Sequence, residues 1–302
     1  MNQESPTTPR QATAKAHIPI ILYLLWIYVA MPLAINPLLG AAGISFSTTI
    51  GAVFGNAFVT LLPFFMYCLF ARQHPKLVLP PVSLGLKNAL HIVIVSTAGM
   101  LFVMFVRLGH FDTMINGSNP TPQELPGLRA IWIPLLAFGL LTATFEELWY
   151  RGPMYAAYQR NGVSFWKIAL LTGLLFGIVH AGIFQVSYTF VNGVIWAVML
   201  YYTRSIWAPI LAHVAGNSVF ILLNPYLWAS DYAALYDILP TYVLMIGIAA
   251  LVMIPVAVIC MRKLIFNNPR EKEIPASETK LFTVGYWALI AAMIALAVRF
   301  SI

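Results

Sequence analysis

A short stretch, residues 144–151, concentrates charge at the end of a long apolar run. It reads Thr-Phe-Glu-Glu-Leu-Trp-Tyr-Arg and places carboxylates at Glu146 and Glu147 and a guanidinium at Arg151. A charged side chain at the centre of a membrane span costs about 2.5–3.5 kcal/mol, so such residues usually have a function or a partner. A carboxylate in this position can activate water as a general base.

Helix geometry separates the two glutamates. Glu147 and Arg151 are four residues apart, on one face, with the acid before the base. Glu146 points about 100° away. The sequence therefore pairs Glu147 with Arg151 and makes Glu146, directed to the bundle interior, the better candidate for a general base. The alternative is that all three charges anchor a helix end at the membrane interface.

Two later apolar runs carry histidines. His180 follows Phe176 by four residues, and His213 and Asn217 share a helix face because they too are four apart. Gly216 is expected to permit close approach of a neighbouring helix. A lone intramembrane histidine is more often a hydrogen-bonded packing residue than a reactive one. Polar groups on three separate runs nevertheless predict one site, because helix bundles build sites from facing helices.

These residue types suit hydrolysis of an amide bond in a cavity inside the membrane. Glutamate and histidine activate water, and histidine and asparagine stabilise an oxyanion or bind a metal. No His-Glu-x-x-His zinc helix and no Gly-x-Ser-x-Gly elbow occurs. An aspartyl dyad is excluded because Asp112, Asp231 and Asp237 fall in predicted outer loops. Serine catalysis by another route stays open, although no serine is singled out.

Composition predicts the elements that position these residues. Hydrophobic residues make up 60% of the chain and charged residues 9%, against about 25% charged in soluble domains. The apolar runs approach the 20 or so residues that cross a bilayer as a helix, and they lack the alternation of a β-barrel. The sequence therefore predicts an all-α, polytopic membrane helix bundle.

Nine apolar runs are present, two of them short or interrupted, so eight or nine transmembrane helices are expected. They lie near residues 18–40, 48–71, 88–107, 130–150, 165–184, 186–203, 205–224, 239–262 and 281–300. Residues 1–17 are expected to form a retained cytoplasmic tail, and residues 18–302 a single transmembrane domain. Cys68 and Cys260 each fall inside an apolar run and are interpreted as small core residues.

The net charge of +7 indicates membrane topology and does not indicate nucleic-acid binding. With the N-terminus in the cytoplasm, the basic residues follow the positive-inside rule and the C-terminus lies outside. The cytoplasmic set is Arg10, Lys15, Arg72, Lys76, Lys87, Arg151, Arg160, Lys167, Arg204, Arg262, Lys263, Arg270, Lys272 and Lys280, and the outer set is Arg107, Arg129 and Arg299.

The three motifs occur in the order Glu-Glu-x-x-x-Arg, Phe-x-x-x-His and His-x-x-x-Asn on successive candidate spans. In this order they resemble the CPBP family, which comprises type II CAAX prenyl endopeptidases and bacteriocin-processing or immunity proteins. The resemblance covers about residues 130–225, the expected peptidase core. It implies a membrane peptidase that cleaves a membrane-associated protein or peptide, with Glu146 activating the water and Glu147 and Arg151 forming a supporting pair.

The resemblance also implies roles for the remaining motif residues. His180 would assist the base or bind a metal, and His213 with Asn217 would hold the oxyanion or the metal. A zinc ion on His180 and His213 and a metal-free mechanism are both compatible with these residues. We favour the metal-free mechanism.

Two alternatives to a peptidase stay open. A non-catalytic immunity or regulatory protein of the same fold is the main alternative, and a transporter is the third, although no matched halves with broken helices are visible. Glu146 lies near one end of its run, whereas His180 lies about 22 Å along the next helix. Extension of the helix that carries Glu146 past Arg151 toward Tyr158, or a tilt of the helices, would bring the two residues to the same depth.

The expected location is a bacterial plasma membrane, with the lipid bilayer as solvent.

Overall fold

A computed structural model describes residues 17–23, 25–26, 30–31, 33, 36–41, 49–70, 72, 78–79, 82–115, 129–180, 183–224 and 232–270. We number eight helices within these ranges. They are α1 Asn36–Ala41, α2 Thr49–Phe70, α3 Leu86–Ile115, α4 Ile131–Arg160, α5 Phe165–Ile178, α6 Ile183–Thr203, α7 Trp207–Leu223 and α8 Tyr232–Asn267. The all-α membrane class is confirmed.

Three helices of the described part are long and apolar enough to cross a membrane: Leu86–Leu108, Ile131–Arg160 and Asp237–Asn267. Shorter apolar helices run over Ala57–Phe70, Phe165–Ile178 and Trp207–Leu223. The run near 281–300 lies outside the described residues, and that near 18–40 is described only in part. The protein is integral to the membrane, and the number of eight or nine spans stays a prediction.

Two aspartates expected in outer loops lie in helices instead. Asp112 falls near the end of α3, and Asp237 is an exposed residue of α8. Both helices continue beyond their apolar runs, because a helix need not end where its hydrophobic stretch does. Asp231 lies outside the described residues.

The glutamate-bearing helix α4 is interrupted by two π-helical segments. Leu135–Thr142 and Tyr150–Met154 have π geometry, and the α-helical piece Ala143–Trp149 between them carries Glu146 and Glu147. Pro153 offers a reason for the second segment, since proline has no N–H and its ring clashes with the carbonyl four residues back. Single π turns are rare and frequently lie at functional sites.

The continuation of α4 to Arg160 resolves the mismatch in depth between Glu146 and His180. Glu146 lies fourteen residues before Arg160, and His180 lies fifteen residues after Phe165, the start of α5. At 1.5 Å per residue the two are about 21 and 22 Å from the turn that joins the helices. The predicted end of this run near residue 150 was therefore wrong.

The extension of α4 to Arg160 also changes the number of basic residues assigned to the cytoplasmic side. Arg151 was assigned to a cytoplasmic segment, but it lies inside α4 and is 1% exposed. Its charge is balanced within the bundle, so it carries no topology information. The remaining thirteen residues of that set still outnumber the three of the outer set.

Small residues let α5 and α6 pack closely. A Cβ built on Gly193 would lie 2.9 Å from the Cα of Gly173, and one built on Gly177 would lie 3.0 Å from the carbonyl oxygen of Val186. Gly173 and Gly177 form a Gly-x-x-x-Gly pair, the pattern that permits backbone contact between membrane helices. The crossing of α5 and α6 brings the Gly193 carbonyl into the bundle interior, next to Arg151.

Helices α3, α7 and α8 form the other side of the bundle. Met104 of α3 is fully buried and belongs to an apolar cluster with Ile246 and Ala250 of α8. Helix α7 packs against α3 and against the first π segment of α4. Outward-facing residues of α8 such as Leu251 are strongly exposed, as expected for a surface in contact with lipid.

Candidate active site

Glu147 is the centre of a buried charged cluster. Its side chain is 0% exposed, as is that of Arg151. Arg151 Nη1 donates to Glu147 Oε1 at 3.1 Å, and Arg151 Nε lies 3.0 Å from Oε2. The predicted pairing of these residues one helical turn apart is therefore present in the structure, and it is fully removed from water.

Arg151 also connects α4 to α6. Its Nη2 donates to the Gly193 carbonyl at 2.9 Å. The guanidinium lies over the rings of Phe176 and Trp196, with its carbon 5.1 and 5.6 Å from the two centroids. One hydrogen bond and a second close ion-pair contact with the carboxylate, a carbonyl acceptor and aromatic faces together offset the desolvation of a buried arginine.

His213 joins the cluster from α7. Its Nδ1 lies 3.0 Å from Glu147 Oε1, the distance of a hydrogen bond in which the ring N–H donates to the carboxylate. With the proton on Nδ1, the Nε2 atom is an acceptor, and it lies 3.9 Å from Glu146 Oε2. The imidazole stacks on Trp196 with 4.3 Å between centroids. Glu147 thus orients His213 toward Glu146.

Accessibility distinguishes the two glutamates. The Glu146 side chain is 15% exposed, whereas that of Glu147 is 0% exposed. The 3.9 Å between Glu146 Oε2 and His213 Nε2 is too long for a direct hydrogen bond. A water molecule placed between them could donate one proton to each atom. Glu147 is thus held by Arg151 and His213, and Glu146 has the more accessible carboxylate; the role of Glu146 as a general base stays a prediction.

His180 lies just beyond the end of α5 and is half-buried. Its Nδ1 is 2.7 Å from the Phe176 carbonyl oxygen, so the ring donates from Nδ1 and presents Nε2. The Phe176 ring makes edge contacts with both histidines, at 4.7 Å from His180 and 5.6 Å from His213. The Phe-x-x-x-His motif therefore supplies the backbone acceptor and the aromatic spacer between the two histidines.

Asn217 contacts a different part of α4. Its Nδ2 donates to the carbonyl of Phe138, in the first π segment, at 3.0 Å. The π segment has irregular backbone pairing, and this side-chain amide supplies a partner for one of its carbonyls. Gly216 does not permit a close backbone approach, since an added Cβ would meet only Met100 Cε at 3.5 Å. That expectation was wrong; the close approach lies between α5 and α6.

The donor set does not fit a zinc site built from three protein ligands. Within the described ranges no group of three or more His, Cys, Asp or Glu side chains is arranged to hold a metal ion. His213 Nδ1 is engaged by Glu147, which leaves Nε2 as its one coordinating atom. A catalytic zinc ion normally takes three protein ligands and one water. Within the described residues, His180, His213 and a glutamate are therefore not grouped as the three ligands of such a zinc site.

Two residues of the site were not anticipated from the sequence. The Gly193 carbonyl accepts from Arg151, and the Trp196 ring supports both Arg151 and His213. The Gly-x-x-x-Gly pair in α5 was a visible signal that another helix passes close by. It did not indicate which residue of α6 would meet it.

Comparisons with known proteins match this region. Residues 128–219 match the family described as type II CAAX prenyl endopeptidase Rce1-like. This segment contains all three motifs, so the resemblance predicted from them is confirmed. The description of this family names a CAAX-type endopeptidase, and carboxylates and histidines are residue types that can carry out such hydrolysis.

Two proteins of Bacillus subtilis (strain 168) are similar to parts of the chain. YdiL, whose name describes it as a candidate membrane peptidase, is 25% identical over 108 residues, which cover 35% of this chain and 43% of YdiL. YyaK, an uncharacterized protein, is 28% identical over 130 residues, 38% of this chain and 42% of YyaK. The chain thus spans less than half the length of each relative. No solved structure matches it significantly.

Proposed function

We propose, from the family match over residues 128–219 and the geometry of the charged cluster, that the chain is an intramembrane endopeptidase. Its substrate would be a membrane-associated protein or peptide, entering the bilayer-embedded site from the lipid or its surface. The peptidase core is residues 130–225, and the flanking helices form the rest of one transmembrane domain. A bacterial plasma membrane is the proposed location.

Glu146 is the proposed general base. It shares a water molecule with His213 Nε2, taking one water proton as the oxygen attacks the peptide carbonyl. Glu146 then transfers that proton to the leaving amine as the C–N bond breaks, and the carboxylate is regenerated. Water is consumed, and a carboxylic acid and an amine are formed. No step requires a metal.

The neighbouring residues position this pair. Glu147 fixes the tautomer of His213, and Arg151 holds Glu147 in place. His180 is proposed to assist Glu146 through its Nε2 atom, and side-chain N–H groups would stabilise the developing oxyanion. Asn217 has one amide hydrogen on the Phe138 carbonyl and a second that could serve the same oxyanion. A preorganised donor in a water-excluded site contributes about 3–4 kcal/mol to such a step.

One observation carries the proposal. Of two adjacent glutamates, the buried one orients a histidine whose other nitrogen faces the accessible one, 3.9 Å away. A purely structural ion pair would need Glu147 and Arg151 alone. The placement of a second carboxylate and an oriented imidazole beside that pair is what hydrolysis requires.

The test compares membrane peptide fragments by mass spectrometry in cells that express the wild type or Glu146→Gln. We expect fragments that appear only with the wild type, because glutamine has the shape of glutamate and cannot accept the water proton. The variant should remain folded and in the membrane, since Glu146 is not a member of the buried ion pair.

Glu147→Gln is the matched comparison. It makes the same chemical change one residue away, but it removes the partner of Arg151, so folded yield should fall together with cleavage. Full cleavage by Glu146→Gln would overturn the assignment of the base. Fragments from wild-type cells that are identical to those from cells without the protein would instead favour the non-catalytic immunity or regulatory role.

A further inference from the structure

A basic cavity of about 340 Å³ lies where α4 and α6 end. Four arginines line it: Arg151, Arg160, Arg204 and Arg270. None of the described residues that line it is acidic. Arg151 is paired with Glu147, and the other three arginines add to the basic lining.

The arginines come from three different parts of the chain, and a backbone carbonyl holds the guanidinium of Arg270. Arg270 Nε donates to the Tyr201 carbonyl at 2.6 Å, and its guanidinium lies 4.5 Å from the centroid of the Tyr201 ring. Arg204 follows α6 with a φ of 57°, an uncommon conformation for a non-glycine residue. Its backbone N–H returns to the Leu200 carbonyl at 2.8 Å. This turn directs the chain away from α6 beside the cavity.

The cavity lies at the level of a membrane interface. Helices α5 and α7 begin at the same end of the bundle, and each carries an exposed tryptophan in its first turn, Trp166 and Trp207. Tryptophan is enriched at headgroup depth, where its ring is apolar and its N–H can meet water. Exposed Lys167 lies next to Trp166, as is common on the basic side.

We propose that this cavity binds the phosphate group of an anionic phospholipid. Guanidinium groups match the geometry of phosphate oxygens through paired N–H donors. Basic pockets between transmembrane helices are known binding places for lipid headgroups. The volume accommodates a phosphate with a small polar group, and Gln159 and Tyr155 supply further polar atoms to the lining.

The site is independent of the proposed peptidase activity, but it is adjacent to it. Arg151 lines the cavity and also holds Glu147. A bound lipid would therefore lie beside Arg151, which holds Glu147 in the position that orients His213. Anionic lipid is expected to stabilise the folded protein whether or not Glu146 is reactive.

Native mass spectrometry of the purified full chain in a neutral detergent tests the proposal. The protein is titrated with phosphatidylglycerol and, separately, with phosphatidylcholine. We expect adducts with phosphatidylglycerol at concentrations that give none with phosphatidylcholine. Arg204→Gln and Arg270→Gln should each weaken binding about fivefold, the effect of one basic residue on an anionic lipid.

Arg262→Gln is the control, since Arg262 is exposed on α8 near the same end and does not line the cavity. It should bind like the wild type, and circular dichroism should show equal helix content for all variants. Equal binding of both lipids, or an equal loss in Arg262→Gln, would overturn the proposal. Displacement of phosphatidylglycerol by equimolar inorganic phosphate would show a site for free phosphate and overturn the lipid assignment.

Discussion

At the scale of single residues, the site depends on Glu147 serving two partners at once. Both oxygens contact Arg151, and Oε1 also accepts from His213. Burial of three polar groups is costly unless each is compensated. Here the arginine gains a carboxylate, a carbonyl and aromatic rings, and the histidine gains a fixed orientation. The cluster is therefore stable only when it is complete.

This interdependence predicts the effect of Arg151→Ala. Loss of the guanidinium would leave Glu147 as a buried carboxylate without its cation, which costs about 3–5 kcal/mol. Folded yield, melting temperature in detergent and cleavage should all decrease. Thermal unfolding followed by circular dichroism in a mild detergent measures the stability part.

Arg262→Ala provides the comparison for that measurement. Arg262 is exposed on α8, and surface substitutions usually change stability by no more than about 0.5 kcal/mol. A melting temperature for Arg151→Ala as high as that of Arg262→Ala would contradict the energetic importance of the buried pair.

At the scale of elements, two devices position the cluster. The π segments on either side of Ala143–Trp149 alter the helical phase of the residues before and after the glutamates. The glycine crossing of α5 and α6 lets the Gly193 carbonyl and the Trp196 ring reach Arg151. Side-chain chemistry on α4 thus depends on backbone geometry in other helices.

Gly193→Ala tests the crossing. The new Cβ would lie 2.9 Å from Gly173 Cα and 3.3 Å from Arg151 Nη2, and backbone atoms cannot yield as a flexible side chain can. We expect a loss of about 1–3 kcal/mol in stability, typical of overpacking. Cleavage should fall further than stability explains, because Arg151 would be displaced. Melting temperature and activity of the same preparation measure both.

Gly99→Ala is the matched control in α3. An added Cβ there would meet only Asn192 Oδ1, at 3.9 Å, so the change should be neutral or slightly stabilising through helix propensity. Equal behaviour of the two alanine variants would show that the close crossing of α5 and α6 is not required.

At the scale of the whole molecule, charge and polarity order the bundle across the membrane. The ends of α4, α6 and α8 carry Arg160, Arg204 and Arg270, and the opposite end of α8 carries Asp237. In the topology that we propose from the positive-inside rule, the arginine-rich end lies in the cytoplasm. The proposed lipid site then faces the cytoplasmic leaflet, where anionic headgroups attract basic residues.

Cysteine labelling tests this orientation. Ser164, in the turn between α4 and α5, and Asp237 are both exposed, whereas the native Cys68 and Cys260 are buried. A membrane-impermeant maleimide should label Ser164→Cys in inside-out vesicles and Asp237→Cys in right-side-out vesicles. Wild-type chain gives the background, and the reverse pattern would contradict the proposed topology.

The sequence by itself determined the membrane class, the helical fold and the pairing of Glu147 with Arg151. These follow from local or additive properties: hydropathy summed over a run, and the fixed spacing of side chains four residues apart on a helix. The order of the motifs was sufficient to indicate the family, whereas the extension of α4 past Arg151 was only one of two alternatives that the sequence left open.

Which polar side chains contact one another depends on tertiary packing. The contacts of Arg151 with Gly193 and of His213 with Glu147 join residues 42 and 66 positions apart, and they depend on helix crossing and rotation. The π segments rotate α4 in a way that hydropathy does not reveal, and Asn217 consequently contacts Phe138. Long-range packing selects one arrangement among many that share the same apolar pattern, since lipid-facing and buried positions are equally apolar.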